Sequence, residues 1–208
     1  MTKTITKAVL DPEFSSLPGI ETVVCTEVCE STQDAAKLLA RSGMPEGTLV
    51  LSNTQTAGRG RLERQWDSPT GGLYMSFILR PLAKPQDYAG LTIHIAECIA
   101  RAARECYGVK TRIKHPNDVY ACGRNGKWGK VAGILTEACS CGEHGDWVVV
   151  GIGVNLGNTI SKELSEKAVS LAVISGENCS RTRFLKRFFT AFQPVYAAWQ
   201  TGAASRRQ

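Results

Sequence analysis

The sequence contains no long hydrophobic run. Its longest charge-free stretches, Trp147–Ser161 and Phe188–Ser205, are broken by Gly, Asn, Gln and Pro. Neither approaches the ~18 consecutive apolar residues that a membrane-spanning helix needs. Met1–Leu10 carries Lys3 and Lys7 but no apolar core, so it does not read as a secretory leader. None of the eight cysteines forms a C-x-x-C pair, and the three histidines (His94, His115, His144) lack ligand spacing to one another. That disfavours a zinc site and a disulfide framework, and leaves scattered, reduced thiols in an expected cytoplasmic protein. There is no Walker A loop and no G-x-S-x-G elbow. The Gly151-Ile-Gly153 run fails the dinucleotide fingerprint because Leu156 stands where a third glycine would be.

What the chain does have is a globular composition: 208 residues, 43% hydrophobic and 21% charged, with a net charge of +6. This excludes long-range disorder and fits one domain with a sizeable core. The positive balance suits nucleic acid, a solvated surface or an anionic ligand. Residues 1–19 read as a lead-in arm. Strands are expected at Glu21–Val28, Thr48–Ser52, Leu73–Leu79, before His115-Pro116, and at Val119–Ala121, Val131–Ala138 and Trp147–Val154. Ser31 is a natural N-cap for a helix stopped by Gly43. Tyr88–Tyr107 reads as a long helix stopped by Gly108, Ser161–Ser175 as another, and Thr182–Trp199 as a last one interrupted or kinked near Pro194. A polar hairpin tip is expected over Gly123–Gly129. Hairpins mixed with helices, without a regular βαβ rhythm, indicate an α+β fold.

Four clusters carry chemistry. After the Thr48–Ser52 strand comes Gln55-Thr-Ala-Gly58-Arg59-Gly60-Arg61, followed by Arg64 and Trp66. Glycines let backbone close over a ligand, guanidinium forks grip phosphate or carboxylate, and Trp66 offers a flat face to a base. A basic, flexible loop touching only solvent has the same composition. In Lys114-His115-Pro116-Asn117-Asp118, the proline biases the chain to turn, and Asn117 and Asp118 supply oxygens for Mg²⁺ or hydroxyls; both are also ordinary turn formers. Lys130 heads the strand Val-Ala-Gly-Ile-Leu-Thr-Glu, from which it can point into a cleft or mark a hairpin tip. Gly151 and Gly153 interrupt a strand that ends at Asn155, a sign of close approach by ligand or backbone.

Taken in order, GRGRLERQWDSPTGGLY, HPNDVY, KVAGILTE and GIGVN resemble the successive blocks of the biotin protein ligase catalytic domain, from about Thr22 to Trp199. The related lipoate ligases show an Arg-Arg pair before a glycine triplet and no GRGR. The resemblance implies a central mixed, largely antiparallel sheet flanked by helices, like that of class II aminoacyl-tRNA synthetases and biotin synthetases. It also implies a two-step reaction: biotin and ATP give biotinyl-5′-AMP, and biotin then passes to a lysine of a biotin carboxyl carrier domain.

By the same resemblance, Lys130, Arg59 and Arg61 are the catalytic cations. Ser31, Thr32, Gln55, Gly58, Arg59, Arg61, Lys130, Gly151 and Gly153 are expected at biotin. Arg61, Arg64, Trp66, Asn117, Asp118, Lys130 and Asn155 are expected at ATP, with Asn117 and Asp118 at Mg²⁺. The Ala57–Gln65 loop is expected to order over the ligands.

This chain departs from the family at His115, where Trp is usual, and at Gln33, where Asn is frequent after the Ser-Thr pair. It also ends in a short basic tail, Thr201–Gln208, where many relatives continue into a β-rich domain. A single catalytic domain over 1–208 is therefore expected, without a helix-turn-helix, DNA or membrane partner, and with a homodimer allowed. Three rival readings stay open at this level: a lipoate or other acyl ligase on the same fold, a non-catalytic biotin-binding module, and a basic nucleic-acid binder.

Overall fold

A computed structural model describes residue 14 and residues 16–82, 88–123, 126–139 and 146–202. Most of the lead-in arm, part of the Gly123–Gly129 tip and residues 203–208 of the tail lie outside the described residues. Seven strands form one sheet: β1 (Thr22–Cys29), β2 (Thr48–Gln55), β3 (Leu73–Leu79), β4 (Lys110–Lys114), β5 (Asp118–Cys122), β6 (Trp128–Cys139) and β7 (Trp147–Val154). Their order is β1-β2-β3-β7-β6-β5-β4. Only β1 and β2 run parallel; every other neighbour is antiparallel. The expected mixed, largely antiparallel α+β fold is the one observed.

The centre of the sheet follows from its least polar segments. All seven residues of β3 are buried, and β7 is the Val-rich run beside it, as strands covered on both faces must be. On one face lie α2 (Tyr88–Tyr107) and α4 (Arg181–Gln200). Phe184, Phe188, Phe192, Tyr196 and Trp199 recur along α4 at helical spacing and are buried. Phe77 of β3 meets Phe188, Phe189 and Phe192 edge-on, with ring centroids 5.4–6.2 Å apart. α4 is one helix through Pro194, which, like Thr190, is exposed. The carbonyl that a proline leaves unpaired one turn back therefore faces water. The opposite sheet face packs α1 (Thr32–Arg41) through Ala36 and Ala40 against Val24, Val50, Ile78 and Val149. Beyond α1 that face is covered by Trp66 and the loop that carries it, and the site lies there.

The expected helix over Ser161–Ser175 is corrected: residues 162–167 are turns, and only α3 (Leu171–Ser175) is helical. Backbone groups of this segment find other partners. Lys130 N–H donates to Lys167 O (2.8 Å), Val169 N–H donates to Lys130 O (3.1 Å), and Leu171 N–H donates to Asn155 O (2.9 Å). Those bonds replace a helical ladder and brace the backbone of Lys130 and Asn155.

Candidate functional site

Two adjoining cavities open on this face of the sheet. The first, of about 360 Å³, runs between α1, the Arg loop and strands β3, β7 and β6. The second, of about 420 Å³, lies towards β5 and the 155–168 segment. Arg64, Trp66, Lys114, Asp118 and Lys130 line both. Lys130 is thus one of three cations at the junction, with Arg64 and Lys114, and the one paired with Asp118. Its Nζ forms an ion pair with Asp118 Oδ1 at 2.6 Å and lies 5.1 Å from the centroid of the Trp66 ring. Its β6 position pairs with Tyr120 of β5, next to an irregularity at Val119/Tyr120.

One end of the first cavity is lined by a largely buried polar network. Gln55, the last residue of β2, accepts at Oε1 from Thr32 N–H (2.8 Å) and Thr32 Oγ1 (3.1 Å), and its Nε2 donates to Ser68 Oγ (2.8 Å). Thr32 Oγ1 and Ser76 Oγ are 2.9 Å apart. Gln33 is held by three bonds: Ser76 Oγ donates to its Oε1 (3.1 Å), and its Nε2 donates to Val149 O (3.2 Å) and Leu135 O (3.5 Å). Ser31 occupies the expected N-cap position, yet its hydroxyl caps nothing. Its Oγ is buried with no partner among the described residues and lines the cavity. An uncommitted hydroxyl beside an otherwise satisfied network suits a polar ligand head.

Trp66 lies on a glycine floor. Gly133 and Gly153 are cross-strand partners on β6 and β7. A methyl group on Gly133 would come within 2.8 Å of Trp66 Cζ3, and one on Gly153 would collide with the indole. The ring therefore needs both glycines to lie flat against the sheet. Gly151 lines the same cavity further on, beside Gln33.

The Arg loop is a small hairpin. Trp66 N–H donates to Gly58 O (2.9 Å), Gly60 N–H to Arg64 O (2.7 Å), and Arg59 bridges Gln65. At its tip Leu62 and Glu63 have φ of 54° and 57°, and Leu62 is 84% exposed. Arg61 Nη1 donates to Asn117 Oδ1 (3.0 Å), whose Nδ2 donates to Ile134 O (3.3 Å). Arg59 forms ion pairs with Asp34 Oδ1 (2.6 Å) and Glu137 Oε1 (3.1 Å).

The structure brings nearly all the expected residues together. Ser31, Thr32, Gln55, Arg59, Arg61, Arg64, Trp66, Asn117, Asp118, Lys130, Gly151 and Gly153 line the first cavity. Asn155 lines only the second, where its Nδ2 donates to Lys130 O (3.3 Å). Gly58 lines neither and instead anchors the loop base. His115 is exposed at the rim. Sequence reasoning missed Gln33 and Ser76 as parts of the network, Gly133 as half of the floor, and Asn158 and Lys167 in the second cavity. Ser76 had a signal, being the one polar residue inside an apolar strand. Gly133 had none until register placed it opposite Gly153.

Among the described residues no cluster of three His, Cys, Asp or Glu could hold a metal ion. Asn117 and Asp118 offer one amide and one carboxylate, each already facing a cation. This donor set fits Mg²⁺ brought in on phosphate oxygens, not a resident ion.

Fold and site together define an α+β domain with two adjoining cavities on one face of its sheet, which share Arg64, Trp66, Lys114, Asp118 and Lys130. Residues 25–155 match the Biotin/lipoate A/B protein ligase family, and the chain belongs to that family. It is 38% identical over 179 residues to the bifunctional ligase/repressor BirA of Bacillus subtilis, covering 84% of this chain and 54% of that one. It is 34% identical over 173 residues to the biotin–[acetyl-CoA-carboxylase] ligase of Paracoccus denitrificans, covering 82% of this chain and 70% of the relative. The biotin protein ligase of Aquifex aeolicus, solved with biotin and ATP, superposes with a TM-score of 0.74 at 28% identity, over 89% of this chain and 74% of that one. The chain spans about half the length of the Bacillus relatives it matches.

Proposed function

We propose that this chain is an ATP-dependent biotin protein ligase that forms biotinyl-5′-AMP and transfers biotin to a lysine of a biotin carboxyl carrier domain. The observation that carries the proposal is Lys130 at the junction of the two cavities, paired with Asp118 and lying near Trp66. Biotin's polar head enters the Ser31/Thr32/Gln55 end, and its carboxylate reaches Lys130. ATP occupies the second cavity, with Trp66 against the base and Arg64, Lys114 and Lys167 near the phosphates. In the first step a carboxylate oxygen attacks the α-phosphorus and pyrophosphate leaves. Two anions meet there, and Lys130 and Arg61 offset their repulsion while the cavities fix their geometry. In the second step the carrier lysine's neutral amine attacks the acyl carbon, AMP leaves, and the amide forms with loss of a proton. Asn117 and Asp118 would hold Mg²⁺ together with the phosphate oxygens, and the ion would supply charge neutralisation on the phosphates.

Several features support biotin as the acid: the GRGR loop, the named relatives, and a largely buried polar end suited to a urea-like head. The test is mass spectrometry of a carrier domain after incubation with the chain, biotin and ATP. One added biotinyl group on the acceptor lysine is the expected result. A carrier of unchanged mass, with the same sample labelled by a known ligase, overturns the proposal.

A further inference from the structure

The expected catalytic role of Arg59 sits poorly with where its guanidinium lies. Lys130 and Glu137 are seven residues apart on β6, and Arg59 is bound at the Glu137 end. Its partners come from two different elements: Asp34, in the first turn of α1, and Glu137 of β6. Lys37 spans the same two carboxylates, 3.0 Å from Asp34 Oδ1 and 3.1 Å from Glu137 Oε1. Without Arg59 this cluster holds two negative charges against one positive. The second carboxylate oxygen of Glu137 is buried with no partner among the described residues. The cluster is therefore a seat of net charge −1, arranged by Lys37 and complementary to a guanidinium fork.

We infer that Asp34 and Glu137 are positioning residues. They seat Arg59 so that the Gly58–Trp66 hairpin lies across the head-group end of the first cavity. Arg59 then acts by holding the loop over bound biotin, while Lys130 and Arg61 meet the reacting carboxylate and phosphate. The assignment rests on the proposed biotin-ligase reading for its catalytic consequence, but not for the latch itself. The hairpin has two further anchors, Arg61 on Asn117 and Trp66 on the glycine floor. Loss of the seat therefore loosens one side of the loop without unfolding it.

The experiment uses the full chain and the variants Asp34→Asn, Glu137→Gln and their combination, with Glu137→Asp as the conservative control. The first readout needs no ligand: tryptic cleavage after Arg59, Arg61 and Arg64, followed by mass spectrometry. The double variant is expected to be cut at least fivefold faster there, with an unchanged melting temperature, and Glu137→Asp is expected to restore most of the protection. Equal cleavage rates overturn the latch. The second readout is biotin-dependent pyrophosphate release. The double variant is expected to raise KM for biotin five- to twentyfold with kcat within twofold. A fall in kcat at unchanged KM overturns the positioning role and returns Arg59 to the reacting atoms. If the unaltered chain releases no pyrophosphate with biotin, the functional reading fails, and the cleavage result still decides the latch.

Discussion

The ammonium of Lys130 sits 2.6 Å from Asp118 Oδ1 and 5.1 Å from the centre of the Trp66 ring, at the boundary of two cavities. The ion pair with Asp118 aims the lysine, and both side chains are about three-quarters shielded from solvent. In the proposed reaction two anions meet at this shielded cation, where a positive charge is worth far more than in water.

Replacing this lysine is therefore a test of chemistry. Lys130→Ala is expected to lower the rate of adenylate formation about 10²–10³-fold, the cost of removing one preorganised charge contact. The β6 backbone at this position is braced by Lys167 and Val169, so circular dichroism and the melting curve should stay near those of the unaltered chain. The readout is single-turnover pyrophosphate release.

Ser31 separates binding from folding. A serine N-cap that bonds its helix is worth ~1 kcal/mol, but the Ser31 hydroxyl makes no cap bond. Ser31→Ala should therefore change unfolding stability by less than about 0.5 kcal/mol. It should raise KM for biotin several-fold, because the hydroxyl is then missing from the ligand's polar end. Urea unfolding and initial-rate kinetics check the two halves.

Much of this site was legible in the sequence because its parts are local. The Arg loop, the HPND turn and the Gly-x-Gly strand are each contiguous, and their expected elements formed with small shifts at the ends. Leu73–Leu79 and Tyr88–Tyr107 were bounded by Gly, Pro and helical spacing alone. What escaped depends on long-range register. Gly133 gains its meaning only opposite Gly153, and Ser76 only when β3 brings it to Thr32 and Gln33. The 161–170 segment carries charged, helix-compatible residues, yet tertiary bonds to Lys130 and Asn155 draw it out of the helix. Arg59 stands out in the sequence as a candidate site residue, but its carboxylate partners lie 25 and 78 positions away.

The glycine floor makes a prediction about nucleotide binding. Gly153→Ala places a methyl group against the Trp66 indole and tilts the ring off the sheet. Base stacking of this kind is worth ~1–3 kcal/mol, so KM for ATP should rise about tenfold, and KM for biotin should rise too because Gly153 lines the first cavity. Tryptophan fluorescence titrated with ATP, followed by kinetics, measures this directly.

Buried thiols and phenols predict a limit at alkaline pH. Burial pushes Cys98 from 9.0 up to about 12, and burial likewise raises Tyr74, Tyr107 and Tyr196 above the ordinary phenol value. Above about pH 9 the unfolded chain releases its Cys98 proton while the folded chain keeps it. Stability is therefore full below that pH and declines as pH rises towards 12, by at most ~1.4 kcal/mol per pH unit for each such group. Melting temperatures from pH 7 to 11 should be flat and then fall. Cys98→Ala should show a shallower fall, at the cost of a small core cavity.

The central claim is that the junction at Lys130 activates biotin with ATP. Its most direct measurement is pyrophosphate release from ATP by the purified chain, with biotin and lipoate supplied in parallel. Release that depends on biotin is the expected result, with none above background for lipoate. No release with biotin, or release with lipoate alone, would contradict it.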